Sequence, residues 1–151
     1  MRAVDEIQVA APIQRVFEVA SSVERWPDFL EHYRWVRFLE RRAQGGVVEM
    51  SAWRRFGFLD WPTWWVSEMS LHLETHRIRF RHIRGITAGM DVEWRLDTVA
   101  GGVGVEIVHE WTGPGWPLIG GLAADVVIGP VFIHHIASRT LAGVKRRAEL
   151  T

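Results

Sequence analysis

The sequence predicts an α+β fold in which a curved antiparallel sheet of six to seven strands wraps around a long C-terminal helix. Two short helices after the first strand and an internal cavity complete the prediction. Apolar and polar residues alternate with period two through much of residues 33–111, whereas the last third of the chain has apolar residues at helical spacing. The length of 151 residues fits a single domain over residues 1–151.

The first elements are a strand and two short helices. Val4–Ala10 alternates weakly and predicts a strand, after which Pro12 suits the first turn of a helix. Ser22–His32 contains a Trp-Pro pair and predicts a short, broken second helix. The apolar residues at helical spacing in the first helix are Ile13, Val16, Phe17 and Ala20.

Six further strands are predicted between residues 33 and 111. Glycine-rich or polar turns separate most of them, and strict alternation indicates an antiparallel sheet with one solvated face. Arg79 and Arg81 are expected to lie opposite Asp91 and Glu93. The predicted strands are Val36–Arg42, Val47–Arg55, Thr63–Leu73, one around residues 77–82, Met90–Leu96 and Val103–Trp111. Phe56–Trp65 is interpreted as an apolar loop, with Trp64 facing away from Trp65.

A long helix is predicted from about residue 118 to residue 150, after a break at Gly113–Pro117. Gly129 and Pro130 predict a kink within it. Although residues 115–138 are long enough to span a bilayer, they contain charged residues and prolines, so an amphipathic helix on the sheet is the better interpretation. Its expected inner face is Val126, Ile133, Ala137, Leu141, Val144 and Ala148.

Composition narrows the function classes. Eighteen basic residues balance eighteen acidic residues, which argues against a nucleic-acid partner. The absence of cysteine excludes disulfides, thiolate metal sites and cysteine nucleophiles. No phosphate-binding loop or cofactor motif occurs, and we expect no cofactor. The first residues lack an apolar signal core, and we therefore expect a cytoplasmic location.

The predicted architecture itself indicates a ligand site. One helix is too narrow to fill a sheet of six or seven strands, so the remaining space is expected to form a cavity for a small, mostly apolar ligand. The nine tryptophans fit either a cavity lining or a tryptophan-rich core. The residues expected to contact the ligand are Trp35, Met50, Trp65, Met69, Phe80, Trp94, Trp111, Ile133, His134 and Ala137.

Two motifs carry a resemblance to a known group. They are Ile7-x-Val9-x-Ala11-Pro12-x-x-x-Val16-Phe17 and Trp26-Pro27-x-Phe29-Leu30. With the long final helix, they make the whole chain resemble the START-like (SRPBCC) helix-grip superfamily. The polyketide cyclase/dehydrase branch, which includes aromatase/cyclases, fits best, from Trp26 to Tyr33 and at Trp65-Val66-Ser67.

The resemblance also implies a chemistry. In the aromatase/cyclases a tyrosine, a serine and an arginine are expected to bind the ketones of a polyketide chain and assist enolisation. Tyr33 and Ser67 match the tyrosine and the serine, but Met69 stands where the arginine is expected. Loss of that cation weakens the case for an enzyme and favours ligand binding or transport.

Two histidines are further catalytic candidates. If Phe80 and Ile107 point inward, the alternation places His82 and His109 on the same face, where they can act as acid and base on a carbonyl substrate. The alternative is an interior histidine that is bonded to a neighbour. No metal site is expected, because His82, His109 and His134 lack the local spacing of a zinc motif.

Three hypotheses follow. The favoured one is binding of a small hydrophobic ligand: a lipid, a quinone or a polyketide-like aromatic. The second is a cofactor-independent polyketide cyclase/dehydrase that uses Tyr33, Ser67, His82 and His109. The third is an interaction module in which Phe56–Trp65 docks a protein or a membrane. No transmembrane segment is expected, peripheral membrane contact is left open, and the chain is expected to be a monomer or a homodimer.

Overall fold

The computed structural model of this chain describes residues 1–56, 59–112 and 130–150. It confirms the predicted fold class: one seven-stranded sheet, two short N-terminal helices and a C-terminal helix. The strands, in the order β1-β7-β6-β5-β4-β3-β2, pair antiparallel throughout. They are β1 (Arg2–Val9), β2 (Tyr33–Arg42), β3 (Gly45–Phe56), β4 (Leu59–His72), β5 (Arg77–Gly85), β6 (Asp91–Val99) and β7 (Gly102–Glu110). The helices are α1 (Ile13–Ser21), α2 (Trp26–Phe29), which follows a 3-10 turn at Val23–Arg25, and α3 (Pro130–Glu149).

The alternation in the sequence sets the two faces of the sheet. On β5, Ile78, Phe80 and His82 are buried on the inner face, which packs against α3. The arginines between them lie on the outer face, as predicted. Arg79 Nε lies 2.6 Å from Glu93, and Arg81 Nη1 lies 3.0 Å from Asp91. Such exposed pairs stabilise a fold by at most about 1 kcal/mol each, so inner-face burial is the larger contribution.

The interpretation of Phe56–Trp65 as a loop was wrong over its described residues. Strands β3 and β4 form one long hairpin whose pairing runs from Gly45↔Ser70 to Phe56↔Leu59. Pairing between β4 and β5 begins only at Trp65, so the first residues of β4 are bonded on one side alone. Such an edge tolerates Pro62. Trp64 is partly exposed and Trp65 is buried, which confirms their predicted opposite orientations.

A β-bulge near the start of β2 corrects the prediction for Trp35. The register shifts between Tyr33 and Trp35, so that Val36 rather than Trp35 pairs with Met50. A shift of one residue moves the following side chains to the other face. Trp35 therefore lies on the outer face, half-buried, with the Arg37 guanidinium 4.7 Å from its ring centroid.

Helix α3 buries the predicted stripe against the sheet. Ile133, Ala137, Leu141, Val144 and Ala148 are all buried. The predicted break at 113–117, the helix start at 118, Val126 and Gly129 lie outside the described residues, so the kink has no structural test.

The last turn of α3 is tied to α1. Arg15 donates hydrogen bonds to the carbonyls of Arg147, Ala148 and Leu150, groups that a helix end otherwise leaves without partners. These bonds fix α1 against the far end of α3. In the part of the chain that the structure describes, no helix combines the length and the apolar character needed to cross a bilayer.

Candidate ligand-binding cavity

A cavity lies between the inner face of the sheet and helices α2 and α3. Its volume is about 70 Å³, which is room for several waters, since one water needs roughly 10–15 Å³. The lining contains no Asp, Glu, Lys or Arg among the described residues. It comprises Trp26, Tyr33, Met50, Thr63, Trp65, Phe80, His82, Ile86, Thr87, Met90, Val92, Trp94, Ile107, His109, Ile133, Ile136, Ala137 and Thr140.

The structure brings most of the sequence-predicted site residues together in this wall. Nine of them line the cavity: Tyr33, Met50, Trp65, Phe80, His82, Trp94, His109, Ile133 and Ala137. Five do not: Trp35, Ser67, Met69, Trp111 and His134. Trp35 is removed by the bulge in β2, and each of the other four has its own physical reason.

His134 points to solvent. Its side chain is 69% exposed, and its Nδ1 is hydrogen-bonded to the nearly buried carboxylate of Asp5 on β1. His134 lies about 100° around the helix from the buried Ile133. This rotation places the imidazole of His134 outside the side of α3 that faces the cavity. The geometry therefore does not support the prediction that His134 contacts the ligand.

Trp111 and Met69 are buried but lie outside the wall. Trp111 donates its indole Nε1–H to the Ala88 carbonyl at 3.1 Å, and it thereby holds the turn between β5 and β6. Met69 pairs with Phe80 on the neighbouring strand and belongs to the hydrophobic core. Both side chains belong to the core without lining the cavity.

Ser67 is fully buried beside the cavity without lining it. It pairs in register with His82 on β5, and its Oγ has no hydrogen-bond partner among the described residues. A hydroxyl that is buried without a partner costs about 1–3 kcal/mol of stability. The geometry therefore does not place Ser67 in contact with a ligand.

Trp26 of α2 forms the aromatic centre of the cavity. Its ring centroid lies 5.2 Å from that of Tyr33, 5.6 Å from that of Trp94 and 6.4 Å from that of Phe80. Its Nε1 is buried and has no hydrogen-bond partner within the described chain. The cavity thus has an aromatic wall in which the Trp26 indole N–H finds no acceptor among the described residues.

His82 has a fixed ring orientation. Its Nδ1 lies 2.6 Å from the Thr87 hydroxyl, and its ring stacks on Trp65 at 5.7 Å between centroids with an interplanar angle of 9°. Burial lowers the pKa of His82 to about 3, and the nearby His109 adds to that effect. The imidazole is therefore neutral at physiological pH, with one ring nitrogen engaged by Thr87.

His109 is the second neutral imidazole. Burial lowers its pKa to about 4. Its Nδ1 is buried without a hydrogen-bond partner among the described residues. Like Trp26, it carries a polar atom to which no residue of the described ranges offers a hydrogen bond.

The single tyrosine of the chain lies at the other side of the wall, on β2. Burial raises the pKa of the Tyr33 phenol above its ordinary value, and the nearby Thr140 hydroxyl partly offsets that rise. The phenol therefore stays protonated at neutral pH and is able to donate a hydrogen bond to an oxygen. The neighbouring His32 is bonded to Thr140, with Nε2 and Oγ1 2.9 Å apart.

Sequence reasoning missed several polar residues of the site. Thr140 follows Ile133 by seven residues and Ala137 by three, so the helical stripe could have identified it. Thr87 lies in a turn, where no periodicity applies. The described residues contain no group of three or more His, Cys, Asp or Glu that could hold a metal ion.

Comparisons with known proteins agree with this architecture. The family model described as "Polyketide cyclase / dehydrase and lipid transport" matches residues 9–130. A putative polyketide cyclase of Streptomyces cyaneus is 26% identical over 99 residues, which cover 65% of this chain and 64% of the relative. The actinorhodin polyketide synthase bifunctional cyclase/dehydratase of Streptomyces coelicolor is 29% identical over 112 residues, 73% of this chain and 34% of the relative. The matched region thus spans less than two thirds of each curated relative.

Solved structures share the fold over the whole chain. The protein TTHA0849 from Thermus thermophilus has a TM-score of 0.83 at 20% identity, covering 98% of this chain and 97% of its own. The Zhui aromatase/cyclase from Streptomyces sp. R1128 has a TM-score of 0.79 at 20% identity, covering 99% and 93%. At these identities the likeness concerns the fold and leaves the chemistry to the residues of the cavity.

Proposed function

The chain belongs to the polyketide cyclase/dehydrase and lipid transport family, and we propose that its cavity binds a small, mostly apolar molecule that carries an oxygen function. Lipids, quinones and polyketide-like aromatics share this chemistry. The apolar and aromatic lining favours the body of such a ligand, whereas the uncharged lining disfavours a charged one.

The unpartnered polar atoms carry this proposal. Trp26 and His109 line the cavity, and the Nε1 of the first and the Nδ1 of the second are buried without partners in the described chain. Leaving such groups unpaired costs roughly 1–3 kcal/mol each, and a ligand oxygen that pairs with the indole N–H recovers part of that cost. An oxygen-bearing ligand is therefore favoured over a pure hydrocarbon.

Native mass spectrometry of freshly purified protein tests the proposal. Any bound molecule is then extracted into organic solvent and identified. We expect a stoichiometric apolar compound that bears a carbonyl, hydroxyl or quinone oxygen. Protein that is free of ligand and takes up neither acetophenone nor any other apolar probe would contradict ligand binding in this cavity.

A second candidate function is cofactor-independent cyclisation or dehydration of a carbonyl-rich substrate. It is favoured by the arrangement of Tyr33 and His82, a protonated phenol and a neutral imidazole in one apolar wall. The His82 ring would accept a proton from the carbon next to a ketone while Tyr33 donates a hydrogen bond to the ketone oxygen. The enolate carbon would attack a second carbonyl, whose oxygen would take the proton held by His82 and become a hydroxyl. His82 would then remove a second proton from the attacking carbon and return it to that hydroxyl, which would leave as water while a C=C bond forms.

Deuterium exchange into the methyl group of acetophenone tests the first step of this chemistry. Uncatalysed exchange is slow at neutral pH, so acceleration by the protein reports enolisation directly. We expect His82→Ala to abolish the acceleration and Tyr33→Phe to reduce it by roughly 10²-fold or more, as for a lost transition-state hydrogen bond. If wild-type protein binds acetophenone without accelerating exchange, the protein is a binder and the enzymatic candidate fails.

A further inference from the structure

His32 lies directly behind the cavity wall. It is 3% exposed and is not among the lining residues. Its ring centroid is 4.8 Å from that of Tyr33, and its Nε2 is 2.9 Å from the Thr140 hydroxyl oxygen. It therefore contacts two lining residues, Tyr33 and Thr140, without contacting the cavity.

The hydrogen bonds around Thr140 define the protonation of His32. The Thr140 hydroxyl has one proton, and its Oγ1 donates to the Ile136 carbonyl at 2.8 Å. The bond between His32 and Thr140 must then be donated by the imidazole, so the Nε2 of His32 carries a proton. Because burial, together with the charges of Arg139 and His135, lowers the pKa of His32 to about 4, the ring is neutral and its Nδ1 carries the lone pair.

A donor and an acceptor therefore hold the Thr140 hydroxyl from two sides. The Ile136 carbonyl accepts its proton, and the His32 Nε2–H occupies one lone pair of its oxygen. This arrangement leaves Thr140 a single orientation in the wall, next to the phenol of Tyr33. The ring of Tyr33 is in turn confined between His32 and Trp26, with Trp65 6.1 Å away.

We propose that His32 is a positioning residue for Tyr33, acting through Thr140 and through its own ring so that the phenol presents its O–H to a ligand oxygen. The hydrogen bond from Tyr33 to a ligand oxygen rests on the proposed function. The orientation of the Tyr33 phenol by His32 does not depend on it. Removal of the His32 donor leaves the Thr140 hydroxyl held by the Ile136 carbonyl on one side only, and removal of the ring opens space beside the phenol. Both changes are expected to alter the environment of Tyr33.

The single tyrosine makes this proposal directly measurable. Protein labelled with [ζ-13C]tyrosine gives one phenol signal in NMR spectra, because the chain contains one Tyr. Thr140→Val and His32→Leu are expected to shift or broaden this signal. His32→Gln, which retains an N–H donor, is expected to return it toward the wild-type position. His72→Gln on β4, outside the cavity wall, is the control and is expected to leave it unchanged.

A pair of probes measures the consequence for recognition. Acetophenone and α-methylstyrene have nearly the same shape and differ by an oxygen in place of a CH2 group. Loss of one well-placed hydrogen bond corresponds to roughly three- to tenfold in Kd. We expect His32→Leu and Thr140→Val to weaken the binding of acetophenone by that factor and to leave the Kd of α-methylstyrene unchanged. His32→Gln is expected to retain the preference for acetophenone over α-methylstyrene. Purely structural damage would weaken both probes equally.

The two arms separate the possible failures. An unchanged tyrosine signal in folded His32→Leu protein would overturn the positioning role, whatever the protein binds. Failure of both probes to bind wild-type protein, combined with the predicted NMR changes, would contradict the proposed function and leave the positioning of the phenol supported. Equal loss of both probes in His32→Leu, without recovery in His32→Gln, would also overturn the proposal.

Discussion

The imidazole of His82 lies parallel to the indole of Trp65, with ring centroids 5.7 Å apart and planes 9° apart. The Thr87 hydroxyl is hydrogen-bonded to Nδ1 of the same imidazole. Strand β4 thus supplies a flat support and the β5–β6 turn supplies a hydrogen bond, so the orientation of the His82 ring is set by two separate elements. The fixed, neutral imidazole of His82 is the group that would accept the proton in the enolisation step of the second candidate function.

Thr87→Val is predicted to reduce any exchange activity on acetophenone by roughly tenfold. The valine keeps the shape of the side chain but removes the bond to Nδ1, so the ring loses its defined tautomer and orientation. Proton-exchange rates measured by NMR, compared with those of Thr63→Val, check this. Thr63 is also in the wall, but its hydroxyl donates to the Ala52 carbonyl. Equal loss in both variants would show that Thr87 has no special role.

Stability is predicted to fall steeply in acid. Burial holds the pKa values of His32, His82 and His109 at about 4, 3 and 4, below the value near 6.5 of an unfolded chain. The stabilisation of the folded state by these neutral histidines is complete above about pH 6.5. It is lost as the pH falls toward 4, because the unfolded chain then binds protons that the buried imidazoles do not. With one proton for each histidine, the free energy of unfolding then changes by at most about 4 kcal/mol per pH unit.

Urea unfolding between pH 4 and 8 measures this slope. His109→Gln is expected to reduce it by about one proton, because glutamine does not titrate. A free energy of unfolding that stays constant from pH 7 to pH 5 would contradict the burial of these three neutral imidazoles.

Ser67→Ala is predicted to leave acetophenone binding and exchange unchanged and to leave the protein as stable as before or more so. The Ser67 hydroxyl is buried without a partner in the described chain, so its removal relieves a desolvation cost. Thermal unfolding and probe titration measure both properties. A loss of exchange activity comparable to that of His82→Ala would restore Ser67 to the catalytic role that the family resemblance implies.

Gly143→Ala is predicted to destabilise the protein by roughly 1–3 kcal/mol. A Cβ at this position would lie 2.1 Å from Cδ2 of Leu30, so the buried Leu30 side chain would have to move from its position in the core. The Leu30→Ala variant removes that methyl group and creates its own cavity. In the double variant the two free energies of unfolding are expected to be less than additive, because the clash is gone. If the destabilisations of the two single variants add fully in the double variant, the effect of Gly143→Ala does not come from its contact with Leu30.

Much of the fold was predictable because the sheet has one buried and one solvated face. The alternation on β5 fixed the positions of Phe80 and His82, and the helical stripe from Ile133 to Ala148 fixed the face of α3. Trp35 could not be placed in this way, because the bulge in β2 changes the register without a signal in residue type. His134 shows a similar limit for a helix, because a shift of one position along α3 separates Ile133, which lines the cavity, from His134, which is exposed to solvent.

The polar part of the site was less accessible from sequence. His32 lies just before β2, outside the alternating pattern, and its hydrogen bond to Thr140 spans 108 positions in the chain. Such a pairing depends on how α3 packs against the segment between α2 and β2, which no local pattern encodes. The docking of a protein or a membrane by Phe56–Trp65, and the cytoplasmic location, stay predictions.

The indole N–H of Trp26 gives the most direct test of ligand binding through an oxygen. Protein labelled with [15N]tryptophan has nine indole groups, and Trp26→Phe assigns the relevant signal. We predict that acetophenone moves the Trp26 signal to lower field, as expected for a new hydrogen bond, and that α-methylstyrene moves it much less. If acetophenone leaves the Trp26 signal in place, or moves only the signals of the exposed tryptophans, binding in this cavity through an oxygen is contradicted.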